Sequence, residues 1–592
     1  MSSPVEHAPV EKAQDSAGEP AAPKLCVLKF GSSVLESEAD YSKAVLEIYR
    51  HARDGEKVVA VVSALAGETD ALFAQAVRVG GDAAPEVLVA RLARIGELQS
   101  AALMALALSK AGLRAFTLDP HEMALVAEGS PLDSDLVSVD ADAVWARINQ
   151  HDVVVVPGFI ADHAEHGVVT LGRGGTDLSA VFFADRLGAH RVRLIKDVDG
   201  VYGGDPASNP LAERYSHMNY AQAEAASSGL IQVKAIRAAA LKDVLIEVAA
   251  LGSPEATTIA RVPAVKSLPP RPERLRVALL GCGSVGAGVL SLLQEQPDLF
   301  ELGPILVRDA SRHHEPALFT ESLDEALACE PDILIELIGG ADLAAQAMHS
   351  ALAHGARVVT ANKSAVARHW DSLHACAARF GGALGFSAAV GGGAPVIETL
   401  RRLDGSVVAV EGVMNGTCNY LLARLGEGWS FDDALAKAQE LGFAEADPSA
   451  DVDGHDAADK LSILAREAFG LALLPDLVPR QSLRDLAVGA ALDALDRGEV
   501  LKQVGRCELL ADGGLKADVR IVSLRSSHPL ATARNEENRF LVTDRCGTVH
   551  DVFGKGAGRW PTATAVFADV MDAQRALLGR PQLAAGAIKL RA

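Results

Sequence analysis

The feature that most constrains the fold is an apolar stretch that runs directly into three closely spaced glycines. It reads LRVALLGCGSVGAGVLSLLQ from Leu275, and the glycines are Gly281, Gly283 and Gly286. In a strand–turn–helix unit the first glycine permits a tight turn, the second lets backbone amides approach a pyrophosphate, and the third lets helix and strand pack closely. The context therefore predicts a dinucleotide-binding site, although a tight turn without function would carry the same glycines.

Alternating strand and helix patterns extend this unit, as in a doubly wound Rossmann domain. GPILVRD, DILIELIGG and ARVVTANKS read as strands, and the last brings Asn362 and Lys363 to the carboxyl edge of the sheet, where ligands bind. Arg308 and Arg312 favour the extra phosphate of NADP, whereas Asp309 alone would favour NAD. We therefore expect NADP(H), with NAD(H) as the alternative. The predicted cofactor-binding residues are Gly281, Gly283, Ser284, Val285, Gly286, Arg308 and Lys363.

Length and composition narrow the class of protein. A chain of 592 residues exceeds a single core and predicts about three to five structural units. The net charge of −21 disfavours nucleic acid and anionic membrane surfaces as partners. The 7 cysteines form no CxxC pair, so neither a disulfide framework nor a structural zinc site is expected, and a reducing cytosol fits. Residues 1–23 lack the features of a secretion signal and are expected to form a disordered tail.

A second chemical signal is the run EADPSADVDGHDAADK at residues 445–460. Asp456 and Lys460 are four residues apart and share one helical face, where an isolated surface pair would contribute only about 0.2–0.5 kcal/mol. The run holds too many acids to place close together without a cationic partner or ligand, namely Glu445, Asp447, Asp451 and Asp453. We therefore predict a site for a charged substrate. Metal binding through His455 or Cys418 is not expected, because these residues stand isolated in the sequence.

From about Arg274 onward the chain resembles homoserine dehydrogenases. The motifs LLGCGSVGAGVL, TANKSAVA, FSAAVGGGAPVIETL, VEGVMNGTCNYLL, GFAEADPSADVDGHDAADK and GKGAGRWPTATAVFAD occur in that family's order. The resemblance implies NAD(P)H-dependent interconversion of aspartate 4-semialdehyde and homoserine, a step of threonine and methionine biosynthesis. It also implies Lys460 as the acid that protonates the carbonyl oxygen, Asp456 as its orienting partner, and Lys363 beside cofactor and substrate. Hydride addition builds charge on oxygen, which a lysine can stabilise and neutralise.

The same resemblance implies further contacts. Glu445 and Asp451 would bind the amino acid end of the substrate. Carbonyl oxygens of one loop would hold a sodium ion, near Glu411, Met414, Gly416 and Cys418.

The N-terminal half resembles the amino acid kinase fold, and aspartate kinases in particular. It carries LKFGSSV, VVSALAGETD, LGRGGTDLSAVFFADRLG and LIKDVDGVYGGDP. The resemblance implies that Lys29 neutralises charge on a phosphoryl group transferred from ATP with Mg²⁺. Glu97 and Arg173 would bind the amino and carboxyl groups of aspartate, and Asp177 is also expected to bind this substrate. The other implied residues are Gly31 and Ser32 at the phosphates, the glycine-rich helix start from Gly172 to Asp177, and Asp197, Asp199, Tyr202 and Asp205 in the nucleotide loop.

Three departures from aspartate kinases put phosphoryl transfer in question. The chain has KFGSSVL where KFGGTSV is usual, Lys234 is displaced from the usual lysine, and Lys196 replaces a threonine before the DVDGVY run. Phosphoryl transfer depends on placement, so these changes could weaken or abolish it. Fused relatives also carry paired regulatory domains between their catalytic units, which this sequence lacks. Feedback inhibition by threonine or lysine through such domains is therefore not expected.

The predicted architecture is α/β throughout. It comprises an amino acid kinase α/β sandwich at 24–250, a proline-rich linker at 251–273, a Rossmann domain at 274–404 completed by 556–592, and an α+β catalytic and dimerisation domain at 405–555. We expect a cytoplasmic bifunctional enzyme with small amino acid substrates, and a homodimer or homotetramer by analogy. The alternative is a homoserine dehydrogenase whose inactive kinase domain serves dimerisation or ligand sensing. A purely structural interaction protein is a third reading, which the charged run contradicts.

Overall fold

The protein is described from a computed structural model. It covers residues 24–204, 209, 212–227, 229–253, 255–267, 274–313, 316–441, 443–445 and 447–578. The expected disordered tail, Asp205 of the nucleotide loop, residues 268–273 of the expected linker and residues 579–592 lie outside the described residues. Among the described helices, none combines the length and apolarity needed to cross a bilayer.

The N-terminal unit is an α/β sandwich around a large sheet. Its elements are β1 (Leu25–Phe30), α1 (Asp40–Arg53), β2 (Lys57–Val62), α2 (Glu68–Gly80), α3 (Glu86–Ala111), β3 (Ala115–Thr117), β4 (Val126–Ser130), β5 (Asp133–Ser138), α4 (Ala141–Gln150), β6 (Val153–Pro157), β7 (Ile160–His163), β8 (Gly167–Thr170), α5 (Gly175–Leu187), β9 (Arg191–Lys196), β10 (Arg214–Met218), α6 (Tyr220–Ala226), α7 (Val233–Lys242), β11 (Ile246–Ala250), β12 (Thr257–Ile259) and β13 (Val265–Ser267).

Within the described residues the large sheet has the order β13-β10-β12-β11-β9-β1-β2-β6-β3, and a smaller sheet has the order β5-β4-β7-β8. The central strands are parallel and almost entirely buried, as expected for apolar runs covered on both faces. Lys29 pairs in register with Leu194, so the carboxyl ends of β1 and β9 lie side by side. Part of the expected linker is structured, because β12 and β13 extend this sheet. Strands of three residues are too short to show a periodic pattern.

The next unit is a parallel sheet of the doubly wound type. It contains β14 (Leu275–Leu280), α8 (Ser284–Gln294), β15 (Phe300–Leu302), β16 (Ile305–Leu306), β17 (Phe319–Thr320), α9 (Leu323–Leu327), β18 (Ile333–Glu336), α10 (Ala341–Ala353), β19 (Arg357–Thr360), α11 (Lys363–Phe380), β20 (Ala383–Gly385) and α12 (Val396–Leu403). The strand order is β17-β16-β14-β18-β19-β20, with β15 also paired to β14. The order turns at β14, where such sheets bind ligands.

The last unit is a five-stranded antiparallel sheet with helices, counted over the described residues. It contains β21 (Val407–Val413), α13 (Gly416–Gly426), α14 (Phe431–Glu440), α15 (Ser449–Val452), α16 (His455–Phe469), α17 (Ala490–Asp496), β22 (Glu499–Leu509), β23 (Leu515–Arg525), β24 (Glu537–Asp544), β25 (Val549–Lys555) and α18 (Arg559–Leu577). The sheet order is β23-β22-β21-β24-β25. Helix α18 returns to the parallel sheet and packs against α8. The α/β class predicted from the sequence is confirmed.

The N-terminal unit and the parallel-sheet unit share one hydrophobic core. Tyr41 and Val45 on α1 belong to the same buried cluster as Leu292 on α8 and Phe567 and Met571 on α18. The Tyr49 hydroxyl also donates to the Gly393 carbonyl oxygen at 3.3 Å. The two halves are therefore held together by a packed interface as well as by the chain that connects them.

A buried ion cluster lies beside this core, and we name it the Arg53 cluster after its central residue. Arg53 on α1 is only 4% exposed, and its Nη2 lies 2.5 Å from Glu398 Oε1 and 2.8 Å from Asp569 Oδ1. Asp572 lies farther away, at 3.5 Å. The backbone carbonyl oxygen of Arg53 accepts from Arg402 Nη1 at 2.6 Å. One arginine of the N-terminal unit thus neutralises carboxylates of the C-terminal half.

Candidate active site

The glycine turn after β14 has the geometry that the sequence predicts. Gly281 has φ +98°, and a Cβ there would lie 2.5 Å from the Leu337 carbonyl oxygen. A Cβ at Gly286 would lie 2.0 Å from the Gly281 carbonyl oxygen, so the third glycine is needed for α8 to pack on the turn. A Cβ at Gly283 would meet nothing within 4 Å. The open space is at the second glycine, next to Ser284 and Val285 in the first helical turn, whose amides can receive phosphate.

The segment after β16 holds the two residues that could contact the adenosine ribose or its phosphate, Asp309 and Arg308, and their surroundings differ. Asp309 accepts hydrogen bonds from the Ser311 amide at 3.1 Å, from its hydroxyl at 2.6 Å and from Arg312 Nε at 2.9 Å. Arg308 is exposed and makes no hydrogen bond or ion pair with the described residues. The carboxylate is therefore satisfied within its own loop, while Arg308 is available to a phosphate.

At the carboxyl edge of the parallel sheet, one carboxylate lies between two ammonium groups. Asp456 Oδ2 is 2.8 Å from Lys460 Nζ, and Asp456 Oδ1 is 2.7 Å from Lys363 Nζ. Asp456 and Lys460 are 6% and 8% exposed. Lys363 follows β19 at the first position of α11, which Asn362 caps by accepting from the Ala365 amide. The structure thus brings together the three residues predicted to be catalytic.

The charges of this group stabilise one another. Burial acts to raise the pKa of Asp456, but Lys460 and Lys363 hold that pKa well below its usual value. The carboxylate of Asp456 in turn raises the pKa of Lys363. Lys460 Nζ also donates to the Met414 carbonyl oxygen at 2.5 Å. Since an ammonium group has three donors, Lys460 keeps one N–H without a partner among the described residues.

Two polar residues that the sequence analysis missed connect the acids. Asn415 Nδ2 donates to Asp451 Oδ1 at 2.7 Å and to Asp456 Oδ2 at 2.8 Å. Thr417 Oγ1 lies 2.9 Å from Asp451 Oδ2. Both carboxylate oxygens of Asp451 therefore already have protein partners, and Glu445 lies exposed on the preceding loop. Substrate binding by Glu445 and Asp451 stays a prediction.

The loop predicted to hold sodium surrounds the same lysine. The Met414 carbonyl oxygen already accepts from Lys460, so it faces an ammonium group. Glu411 lies within β21 between β22 and β24, and Gly416 begins α13. The Cys418 amide is bound by the Asn415 side chain and its thiol lies 3.1 Å from the Asp451 carbonyl oxygen. This arrangement does not fit a cation at Met414, and the sodium prediction gains no support from it.

A second cleft, of about 750 Å³, opens at the carboxyl ends of β1 and β9. Lys29 Nζ lies 2.8 Å from Asp177 Oδ1, and a Cβ at Gly31 would come within 2.3 Å of that nitrogen. The wall holds most of the residues that the sequence analysis assigned to phosphoryl transfer. Those lining it are Lys29, Gly31, Ser32, Glu97, Arg173, Asp177 and Asp197. Lys196, which the sequence showed as a departure from aspartate kinases, lines it as well.

Glu97 is a buried acid without a full set of partners. It is 2% exposed, and its Oε2 has no hydrogen-bond partner among the described residues. Burial raises its pKa to about 8, with Lys29 acting in the opposite direction. An acid in such a position is suited to receive a ligand ammonium group. Arg173 lies exposed nearby, as expected for a group that meets a ligand carboxylate.

Only part of the predicted nucleotide loop lies within the described residues. Asp197 is exposed at the mouth of the cleft, and the Tyr202 hydroxyl donates to Asp199 Oδ1 at 2.6 Å. That contact and burial raise the pKa of Tyr202. Lys234 Nζ lies 2.7 Å from Asp133 Oδ1 and does not line the cleft. Tyr202 is thus occupied by its neighbour, and Lys234 does not serve the cleft.

Both halves of the chain resemble known protein families. The homoserine dehydrogenase family model matches residues 395–571, and the model of the homoserine dehydrogenase NAD binding domain matches residues 281–386. The homoserine dehydrogenase of Synechocystis sp. is 38% identical over 321 residues, which cover 50% of this chain and 73% of that protein. The chain belongs to the homoserine dehydrogenase family. The homoserine dehydrogenase of Lactococcus lactis is 36% identical, and the match covers 50% of this chain and 73% of that protein.

The N-terminal half of this homoserine dehydrogenase family member matches a different family. The amino acid kinase family model matches residues 24–246, so the chain combines both units, as the sequence analysis predicted. Solved structures that resemble the chain include a homoserine dehydrogenase from Thiobacillus denitrificans. It has 32% sequence identity and a TM-score of 0.49, and the match covers 52% of this chain and 74% of that chain. A homoserine dehydrogenase structure from S. aureus has 31% sequence identity and a TM-score of 0.45, and the match covers 52% of this chain and 77% of that chain.

Proposed function

We propose that the protein is a bifunctional enzyme of amino acid biosynthesis. Its C-terminal half reduces L-aspartate 4-semialdehyde to L-homoserine with NAD(P)H, and its N-terminal half phosphorylates L-aspartate with ATP and Mg²⁺. The observation that carries the first activity is Asp456 between Lys460 and Lys363, at the carboxyl edge of the sheet that also carries the glycine turn. NADP(H) is the preferred cofactor, because Arg308 has no partner among the described residues while Asp309 is occupied.

The geometry of the dehydrogenase half supports the following roles for this chain's own residues. Bound NAD(P)H supplies the hydride, and negative charge then develops on the carbonyl oxygen of the substrate. Lys460 donates its remaining N–H to that oxygen and then transfers the proton. Asp456 pairs with Lys460 and fixes its orientation through the 2.8 Å contact. Lys363 adds a second positive charge near the same place, and it is 38% exposed and so accessible to a ligand.

The kinase-like half supports a parallel assignment. Glu97 would bind the ammonium group of aspartate and Arg173 a carboxylate, while Lys29 neutralises the transferred phosphoryl group. The alternative is an inactive kinase unit that serves dimerisation or ligand sensing, and the position of Lys234 outside the cleft favours it. A cytoplasmic location and a homodimer or homotetramer remain predictions by analogy.

The dehydrogenase proposal is tested with Lys460→Met, which removes the acid and leaves Asp456 paired with Lys363. We expect semialdehyde reduction to fall by about 10²–10⁴-fold, the usual contribution of a positioned general acid, with NADPH binding retained. Lys437→Met is the control, because Lys437 pairs with Glu440 on the exposed face of α14. Turnover that is unchanged in Lys460→Met would contradict the proposal.

The kinase proposal needs a separate assay. Aspartyl phosphate formed from aspartate and ATP is trapped with hydroxylamine, using Lys29→Met as the control. Formation by the wild type and loss in the variant support phosphorylation of aspartate. No product from the wild type supports the inactive unit.

A further inference from the structure

A second lysine lies inside the kinase-like cleft, at the position where the sequence analysis expected threonine. Lys196 is the last residue of β9 and is 7% exposed. Its Nζ lies 3.0 Å from Asp177 Oδ2 and 3.1 Å from Oδ1. Because β9 is the parallel neighbour of β1, Lys196 and Lys29 reach the same carboxylate from adjacent strands. Asp177 lies between them in the first turn of α5.

The charges of this group do not balance. Two buried ammonium groups, Lys29 and Lys196, share the single carboxylate of Asp177. Glu97 forms no ion pair with either lysine within the described residues, and burial raises its pKa to about 8. Burial, followed by the nearby charge of Lys29, lowers the pKa of Lys196 to about 8. A buried excess positive charge is unfavourable unless an anion joins it.

The surroundings of the two lysines are suited to an anion. Helix α5 begins at Gly175, and the Thr176 amide in its first turn makes no hydrogen bond to the described residues, so it can bind a ligand oxygen. Ser32 and Ser33 are exposed and also line the cleft. Phosphate groups bind at such combinations of helix N-terminus, hydroxyl groups and lysine.

The other candidate for a second cation does not reach this place. Lys234 is the second residue of α7, where its Nζ pairs with Asp133 at 2.7 Å and with Asp135 at 3.4 Å. Gln232 instead lies over the start of α5, close enough that a Cβ at Gly174 would overlap it. Lys196 is therefore the second lysine that lines the cleft.

We propose that Lys196 is a phosphoryl-binding residue that, together with Lys29, holds the terminal phosphoryl group of ATP. Asp177 is the positioning residue for both lysines. An oxygen of the acceptor carboxylate forms a bond to the terminal phosphorus, the bond from that phosphorus to the bridging oxygen breaks, and ADP leaves with the electron pair. The two ammonium groups neutralise the charge that shifts during transfer. This inference rests on the proposed phosphorylation of aspartate.

The test compares ATP with ADP, which lacks the group that Lys196 would hold. Calorimetric titrations with Mg·ATP and Mg·ADP are made on the full-length wild type, Lys196→Met, Lys196→Arg and the control Lys234→Met. In Lys196→Met we expect the Kd for ATP to rise about tenfold, in line with loss of one charge-assisted contact, while the Kd for ADP changes less than about twofold. Lys196→Arg should restore part of the ATP affinity, and Lys234→Met should behave as the wild type.

Phosphoryl transfer gives a second readout. Aspartyl phosphate formation by Lys196→Met should fall by about 10²-fold, as for the loss of one stabilising donor. Folding is checked on the same samples by dehydrogenase turnover, which should not change. The variant should fold, because it leaves Lys29 and Asp177 as a balanced pair.

The outcomes separate this inference from the proposed kinase activity. If the wild type binds ATP but forms no aspartyl phosphate, the kinase proposal fails, and the selective loss of ATP affinity in Lys196→Met still supports the role of Lys196. Equal loss of ATP and ADP affinity, or no loss, overturns that role. A wild type that binds neither nucleotide overturns both.

Discussion

Replacing Arg53 with leucine should destabilise the whole protein. Arg53 is the cation between Glu398 and Asp569 in the Arg53 cluster, at 2.5 and 2.8 Å. Removing one partner of a buried ion pair typically costs about 3–5 kcal/mol, because the remaining charges stay buried without compensation. Burial raises the pKa of Asp569 even with Arg53 present, so this carboxyl can take up a proton and relieve part of the cost. We therefore expect about 3 kcal/mol, the lower end of that range.

The measurement is the urea dependence of dehydrogenase activity, with the shift of the midpoint converted to a free energy of unfolding. The loss should be smaller at pH 5 than at pH 8, because the stranded carboxyls accept protons more readily at low pH. Arg261→Ala is the matched control, since Arg261 is 66% exposed and pairs with Asp243 at 3.0 Å. A surface pair contributes about 0–1 kcal/mol.

A double-mutant cycle with Glu398→Gln isolates the pair energy. The reasoning is refuted if Arg53→Leu costs no more than the control at either pH. It is also refuted if the two substitutions prove additive, since residues in direct contact should couple.

Three further substitutions test the sites. Gly286→Ala should prevent correct folding, because the new Cβ would lie 2.0 Å from the Gly281 carbonyl oxygen. Gly283→Ala should instead fold and bind NADPH about tenfold more weakly, a loss of ~1.4 kcal/mol in binding free energy. Circular dichroism measures folding and fluorescence titration measures NADPH binding, and equal behaviour of the two variants would contradict the geometry. Arg308→Ala should raise the KM for NADPH about 10- to 100-fold, from the ~1.5–3 kcal/mol of a charged hydrogen bond, and leave the KM for NADH unchanged; a matched rise for both would count against a phosphate contact. The folded pKa of Glu97 is raised from 4.5 to about 8, so the wild type should lose stability as pH rises through that interval, and Glu97→Gln should not. Urea unfolding at pH 5 and pH 8 checks this, and a difference between the proteins that does not change with pH would argue against a buried Glu97.

The sequence was most informative where chemistry depends on local spacing. Gly281 and Gly286 were interpretable because a turn between strand and helix leaves no room for a side chain at either position. Asp456 and Lys460 were interpretable because four residues on a helix place them on one face. These features form within a few residues, and the structure brings their members together as expected.

Contacts between distant segments were not predictable in the same way. Asn415 links Asp451 to Asp456, yet in the sequence it is one more polar residue before a glycine, typical of a helix N-cap. The apolar side of α1 could have faced any partner, and nothing local indicates that it meets α18. Part of the expected linker forms strands for a related reason, because β12 is a strand only through its pairing with β10 and β11.

The core shared by the two halves has an evolutionary consequence. The N-terminal unit covers Phe567 and Met571 on α18, and α18 also forms part of the layer behind the dinucleotide sheet. Mutations that erase phosphoryl transfer would leave this covering role intact. Natural selection on the dehydrogenase alone is therefore enough to preserve the kinase-like unit as a folded module, while the residues of its cleft remain free to diverge.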